Sequence, residues 1–367
     1  MRVGILSMQR IKNYGSFLQA YGLKSILEEL GANVEFVDYH PGKTVIPSSE
    51  GTGVRRKVAK FIEAFKGSAP LSEKIKFINY KRKYEKNYFP YLGIKNDKNY
   101  SPSLDLLVIG SDEVFNCVQS NTNVGFSPEL FGAKNNAKKV VSYAASFGNT
   151  NIEKLKKYNL DKIVASYLEK FNSISVRDEN SFKTIKELTG LDAKKHLDPV
   201  LIYDFMNSDK IPDIKVKDKY LLLYGYSGRF SKDECTIIRK YADENNLKIY
   251  CIGGVQDCCD RFIDCNPFKV IAYFENAEAV ITDTFHGTIM SIITHKKFAS
   301  IVRESGYGNS QKMNDLLKRL NLPHRKLLNW EDLSLLLAKD IDYSATDEII
   351  RSEREKSYNY LKKLVED

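Results

Sequence analysis

The sequence predicts an α/β protein of two doubly wound domains facing each other across a cleft. Three observations carry this reading. Apolar runs of strand length alternate with helical stretches from the first residues onward. The alternation stops at a polar, proline-containing stretch, NSDKIPDIKVKDK (207–219), and then begins again. The length of 367 residues exceeds what one hydrophobic core ordinarily serves.

Taken in order, RVGILS (2–7) reads as a buried strand. Residues 16–30 place Leu18, Tyr21, Ile26, Leu27 and Leu30 largely on one helical face, and Gly31 stops that helix. NVEFVDY (33–39) is a second strand, parallel to the first because a helix separates them. A basic insertion at about 43–100 follows, expected as two helices broken near residues 67–70. Strands resume at 104–110, 139–146 and 171–177, with a helix at 152–169, and KKHLDPVLI (194–202) adds a short strand. These make an N-terminal domain, 1–210. The C-terminal domain, 218–340, repeats the scheme with strands at 220–226, 247–254 and 277–282 and helices at 232–246, 268–278 and 287–293. A terminal helix (345–367) carries Ile349, Ile350, Tyr358, Leu361 and Leu364 as apolar positions and is expected to pack back on the N-terminal domain.

The net charge of +9 is concentrated: residues 54–98 hold 13 Lys or Arg against 4 Asp or Glu. Such a segment suits an anionic partner such as phospholipid, a lipid pyrophosphate or nucleic acid, or is simply a solvated helical face. Its aromatics (Phe61, Phe65, Phe77, Tyr80, Tyr84, Tyr88) recur at three- and four-residue steps, which suits packing better than base stacking. No nucleic-acid signature accompanies them, so nucleic acid is not expected. No apolar run reaches 18 residues, and the first apolar stretch is too short for a secretory signal. The expected location is cytoplasmic, with peripheral contact at the inner face of the plasma membrane. Four of six cysteines fall within 251–265 without a CxxC pair or nearby histidine, so reduced thiols are expected rather than metal.

Open parallel sheets bind ligands at the C-terminal ends of their strands, and five stretches fall there. In KNYGSFLQA (12–20), Asn13 or Ser16 caps a helix and Gly15 lets backbone approach a ligand. In VIGSDEVFN (108–116), Asp112 orients a sugar hydroxyl or acts as a base, or merely caps a helix. Arg177 in SVRDENS grips a carboxylate or phosphate, or pairs with a neighbouring acid. Asp198-Pro199 in HLDPV shapes a turn. In ITDTFHGTIMS (281–291), His286 sits where strand gives way to helix, beside the amides of Gly287 and Thr288, joining an anion cradle to a titratable imidazole. The bland alternative is a histidine that only caps the helix.

In this order, NYGSFLQAYGL, VIGSDEVFN, SYAASFG, SVRDENS, LDPVL, TDTFHGTIMSI and KKFASI resemble the polysaccharide pyruvyl transferase family from about residue 3 to about 325, together with the terminal helix. The resemblance implies a GT-B-like pair of Rossmann-like domains. It implies transfer of the pyruvate unit of phosphoenolpyruvate onto two hydroxyls of a sugar, giving a ketal and phosphate, with no cofactor or metal. His286 matches the family's functional histidine and Arg177 its strand-end arginine. The implied donor site is Arg177, Arg303, Gly287, Thr288, Asn13 and Gly15. The implied acceptor site is Ser111, Asp112 and Asn116, with His286 and Asp112 catalytic. Two departures are visible: Phe115 stands where tryptophan is common, and Gln311 or Lys312 replaces a usual arginine, with Arg303 a substitute. The acceptor is expected to be a surface glycan or its lipid-linked precursor. The alternative is a nucleotide-sugar glycosyltransferase on the same architecture.

Overall fold

The computed structural model describes residues 1–46, 68–303 and 310–366. Two six-stranded sheets are built entirely from parallel pairings. The N-terminal sheet contains β1 (Arg2–Leu6), β2 (Asn33–Phe36), β3 (Ser103–Asp112), β4 (Asn136–Ala145), β5 (Ser175–Val176) and β6 (Lys194–Lys195), in the order β2-β1-β3-β4-β5-β6. The C-terminal sheet contains β7 (Tyr220–Tyr224), β8 (Lys248–Ile252), β9 (Arg261–Phe262), β10 (Ala279–Thr282), β11 (Phe298–Ile301) and β12 (Lys326–Leu327), in the order β12-β11-β10-β7-β8-β9. This second order is that of a dinucleotide-type Rossmann fold. Helices cover both faces, which is why the central strands β7, β10 and β11 are buried at every residue rather than at alternate ones. Strand order reverses between β1 and β3 in one sheet and between β7 and β10 in the other. At such a point the flanking loops diverge and leave a crevice. The two crevices face each other, giving the expected GT-B-like arrangement.

Several elements differ from the expected ones. The run at 171–177 contributes only Ser175–Val176 as strand. Asn172 engages Val140 through its own amide and through its side-chain oxygen, both at 2.8 Å, and so replaces the regular ladder there. The expected strand KKHLDPVLI (194–202) is strand only at Lys194–Lys195. Asp198 accepts the Val200 amide at 3.1 Å and, with Pro199 at the first position, starts the short helix Pro199–Ile202. The expected helix at 152–169 is two, Ile152–Lys157 and Asp161–Leu168, parted at Asn159 with φ +54°.

Of the basic insertion, residues 47–67, with Phe61 and Phe65, lie outside the described residues. Its second helix, Leu71–Tyr88, buries Tyr80, Tyr84 and Tyr88 around Tyr14 with ring centroids 5.4–6.4 Å apart. The aromatic spacing is therefore a packing face. That helix also reaches the other domain: Glu73 accepts the Phe262 amide at 2.7 Å, and Tyr88 donates to Asp264 at 3.2 Å. The terminal helix Ser344–Glu366 starts on the C-terminal domain, where Thr346 donates to the Leu320 carbonyl at 2.9 Å. It ends on the N-terminal domain, where Tyr358 donates to Glu29 and Tyr360 to the Ser142 carbonyl, at 2.8 and 3.1 Å. Among the described residues no helix is long and apolar enough to cross a membrane. Leu361 is fully buried under this helix. Leu361→Ala is expected to cost about 2–5 kcal/mol through lost burial and a residual cavity, read as an earlier urea midpoint at unchanged slope.

Candidate active site

The facing strand ends enclose a cleft of about 250 Å³. The N-terminal domain contributes Asn13 and Ser16 after β1, Asp112 and Glu113 at the end of β3, and Arg177 after β5. The C-terminal domain contributes Tyr226 and Arg229 after β7, Asp283 to His286 after β10, and Lys312.

His286 is the second residue of the helix Phe285–Ile293. Thr284 caps that helix by accepting the Gly287 amide at 3.0 Å. This start carries the imidazole across the cleft into the N-terminal domain. There it lies against Gly15, where an added methyl group would sit 2.3 Å from Nδ1. Its Nε2 is buried without a hydrogen bond, 3.6 Å from Oδ2 of Asp198.

Arg177 is the hub on the opposite wall. Its guanidinium donates to Asp198 at 2.6 Å and to Asp112 at 3.3 Å, and its face lies 4.5 Å from the Phe285 ring centroid. Burial pushes the Asp198 carboxyl up, but His286 and Arg177 more than offset it and hold the group well below the usual carboxylate range. Asp112, at φ +78°, accepts the Ser16 hydroxyl at 2.8 Å, and Asn13 caps the helix Tyr14–Glu29 by accepting the Ser16 amide at 2.7 Å. At the cleft rim Lys312 pairs with Glu113. Burial raises the Glu113 carboxyl, and Lys312 overrides this and lowers it to about 2. Arg229 pairs with Asp283 at 2.5 Å, and burial keeps the Asp283 carboxyl above its ordinary value despite Arg229 and Arg303.

A family model for polysaccharide pyruvyl transferase matches residues 13–305, a span that contains most of this cleft. The chain belongs to that family. Its activity is accordingly polysaccharide pyruvylation, a transferase reaction. No curated protein matches the chain. Among solved structures, an O-GlcNAc transferase mutant from Thermobaculum terrenum aligns with a TM-score of 0.45 and 11% identity over 100% of this chain, which spans 66% of that protein's length. The glycosyltransferase SnogD from Streptomyces nogalater aligns with a TM-score of 0.44 and 13% identity over 100% of this chain and 98% of its own. A putative UDP-N-acetylglucosamine 2-epimerase from Listeria monocytogenes aligns with a TM-score of 0.43 and 10% identity over 97% of each chain.

Against the site expected for a pyruvyl transferase, the structure brings together His286, Arg177, Asp112 and Asn13. Six expectations need correction. The Gly287 and Thr288 amides are not an open anion cradle, because they donate to the Thr284 side chain and carbonyl. The Thr288 side chain is itself buried, against Ser300 at 2.8 Å. Gly15 makes room for the His286 ring rather than for ligand. Ser111 is fully buried, its hydroxyl shared between the Ala144 carbonyl and Asp198 at 3.0 and 3.2 Å. Asn116 is spent between Glu113 and Thr150, both at 2.8 Å. Arg303 turns away from the cleft to pair with Glu234 at 2.5 Å, within 3.5 Å of Asp283.

Sequence reasoning missed Arg229, Asp283 and Glu113 as cleft residues, and it took Asp198 for a turn former only. Arg229 lies in a loop, SGRF, that carries no motif. Asp283 and Glu113 could have been found as acids one residue beyond a strand end. The six cysteines are free and buried, and the described residues contain no group of His, Cys, Asp and Glu that could hold a metal.

Glu113 gives a stability test. Its folded value of about 2 lies below the ordinary 4.5. The stability its ion pair contributes is therefore complete above 4.5 and lost as pH falls toward 2. Glu113→Gln is expected to lower the urea midpoint at neutral pH and to flatten its decline over that acid window.

Proposed function

We propose that the cleft binds phosphoenolpyruvate and transfers its pyruvate unit to two hydroxyls of one sugar, forming a ketal and releasing phosphate. The observation that carries this reading is a histidine delivered by one domain into a cluster of cations and carboxylates on the other. The donor bears a phosphate and a carboxylate, so it requires at least two cationic features. Arg229 and Lys312 have side chains 13% and 15% exposed and are the groups that reach it. Arg177, 1% exposed, acts through its charge and through the carboxylates it holds.

In this reading His286 delivers a proton to the donor methylene, and positive charge develops at C2. A sugar hydroxyl adds there and passes its proton to Asp112. The tetrahedral adduct then expels phosphate, which leaves with the proton held by Asp112, and the neighbouring hydroxyl closes the ketal by giving its proton back to His286. The double bond is consumed, two C–O bonds form to the sugar, and one breaks to phosphate, so no external oxidant or reductant is needed. A nucleotide-sugar donor would want an acid in the C-terminal domain for its ribose. The candidates there, Glu234 and Asp283, are held by Arg303 and Arg229.

The acceptor in this proposal is a surface glycan or its lipid-linked precursor. The outward side of the helix Leu71–Tyr88 exposes Lys76, Arg82, Lys83 and Lys86, opposite its buried tyrosines. Each cation near an anionic bilayer is worth about 1 kcal/mol. Replacing Arg82, Lys83 and Lys86 by Gln should release the protein from phosphatidylserine vesicles. Unchanged sedimentation with vesicles removes the membrane role.

The reaction is tested by incubating the protein with phosphoenolpyruvate and candidate glycans while following phosphate release and the mass of the sugar. Phosphate release matched by a pyruvate-sized gain on the glycan is expected; neither appearing across acceptor classes rejects the reading. His286→Gln should lower turnover by about 10² or more, and wild-type rates would remove the imidazole from the mechanism. Gly15→Ala, which forces the ring from its place, should lower turnover while leaving the circular dichroism spectrum unchanged.

A further inference from the structure

We infer that Asp198 is the positioning residue of His286, a buried carboxylate from the N-terminal domain that faces Nε2 and so orients an imidazole from the C-terminal domain. The inference rests on the proposed reaction for its kinetic consequence, but not for its structural content.

The geometry is specific. Asp198 is wholly buried, and each of its oxygens has a distinct task. Oδ1 accepts the Val200 amide at 3.1 Å and so belongs to the start of the short helix Pro199–Ile202. Oδ2 accepts Arg177 at 2.6 Å and the Ser111 hydroxyl at 3.2 Å, and faces Nε2 of His286 at 3.6 Å. That Nε2 is a buried polar atom with no hydrogen bond, a state proteins seldom leave uncorrected. Closing the gap by about half an ångström makes it a charge-assisted hydrogen bond. Gly15 backs the ring from the other side, so the imidazole is held between a glycine and a carboxylate. With Nε2 turned toward Asp198, Nδ1 is the nitrogen left for the substrate.

Charge balance explains why one carboxylate can serve two cations. Arg177 alone would oppose an imidazolium beside it. Its second nitrogen is taken by Asp112, however, at 3.3 Å, so two carboxylates face Arg177 and His286 together. The other charged groups around the ring are matched in pairs: Lys312 with Glu113, and Arg229 with Asp283. Tyr224, at the end of β7, stays neutral because burial raises its hydroxyl. Asp198 is thus the charge aimed at the imidazole.

The experiment uses the full chain with side-chain nitrogen labelling of histidine. Its first arm needs no substrate: the His286 resonances are titrated in wild type and in Asp198→Asn. Removing the negative charge should lower the imidazole pKa by about one unit; an unchanged titration overturns the inference. The second arm is a double-mutant cycle on turnover with phosphoenolpyruvate and an accepted glycan. Asp198→Asn should cost about tenfold or more in kcat with a smaller change in KM. It should move the limb of the pH–rate profile set by His286 to lower pH. In a His286→Gln background it should cost little more. An equal cost in both backgrounds means that Asp198 acts through Arg177 alone, and the inference fails. If Asp198→Asn does not fold, Asp198→Glu keeps the charge and displaces it. Its His286 titration should then differ from wild type, and an identical one counts against the inference. A shifted titration without turnover on any glycan sinks the proposed reaction and leaves the positioning role standing. Turnover with an unshifted titration does the reverse.

Discussion

The structure turns on a buried ion pair, Arg177 with Asp198, set at the mouth of one sheet and met there by a histidine from the other. Burying two charges costs desolvation energy that their attraction only partly returns, so such a pair is weak evidence for stability. Its persistence here follows from what gathers on it. Asp112, Ser111, Phe285 and His286 each touch one of its members. Through Asp112 it extends to Ser16 and the cap of the first helix. Removing Asp198 would free Ser111 and His286, whereas removing Arg177 would free Asp112 and Phe285 and leave the buried Asp198 carboxylate without its arginine.

That convergence is a property of parallel sheets. All twelve strands point their C-terminal ends at the cleft because every pairing in both sheets is parallel. Side chains one or two residues past β1, β3, β5, β7 and β10 then fall on the same crevice. Holding the two crevices at the right separation is a separate task. It falls to Tyr14, which donates across the boundary to the Cys265 carbonyl at 2.8 Å, to the tyrosines of the insertion helix, and to the terminal helix that returns to the first domain. The glycine at position 15 is the other half of this arrangement: the domains approach closely enough for an imidazole from one to occupy the space a side chain would take in the other.

The cleft is close to electrically balanced, since each cation has a carboxylate beside it. The cleft is therefore a set of paired charges and not a preformed positive well. The rim pairs, Arg229 with Asp283 and Lys312 with Glu113, are the ones whose cations solvent reaches. The inner pair is sealed and serves as a fixed reference for the others. Asp283 sits at the junction of Arg229 and Arg303, so the second arginine supports the cleft from behind.

The sequence by itself determined the two-domain α/β plan, the parallel sense of the strands and the stretches at their ends, because these depend on local alternation and short motifs. It marked His286, Arg177 and Asp112 for the same reason: each follows an apolar strand directly. It could not show that the Gly287 and Thr288 amides are already taken by Thr284, since capping depends on one side-chain rotamer. Nor could it show that Ser111 and Asn116 point inward, or that Arg303 faces Glu234 and leaves the cleft to Arg229 and Lys312. Asp198 read as a turn former, which it is, and its second oxygen acquires a partner 88 residues away only when the domains meet. Local chemistry is written along the chain, whereas the pairing of charges across a cleft depends on distances that only the packed domains define.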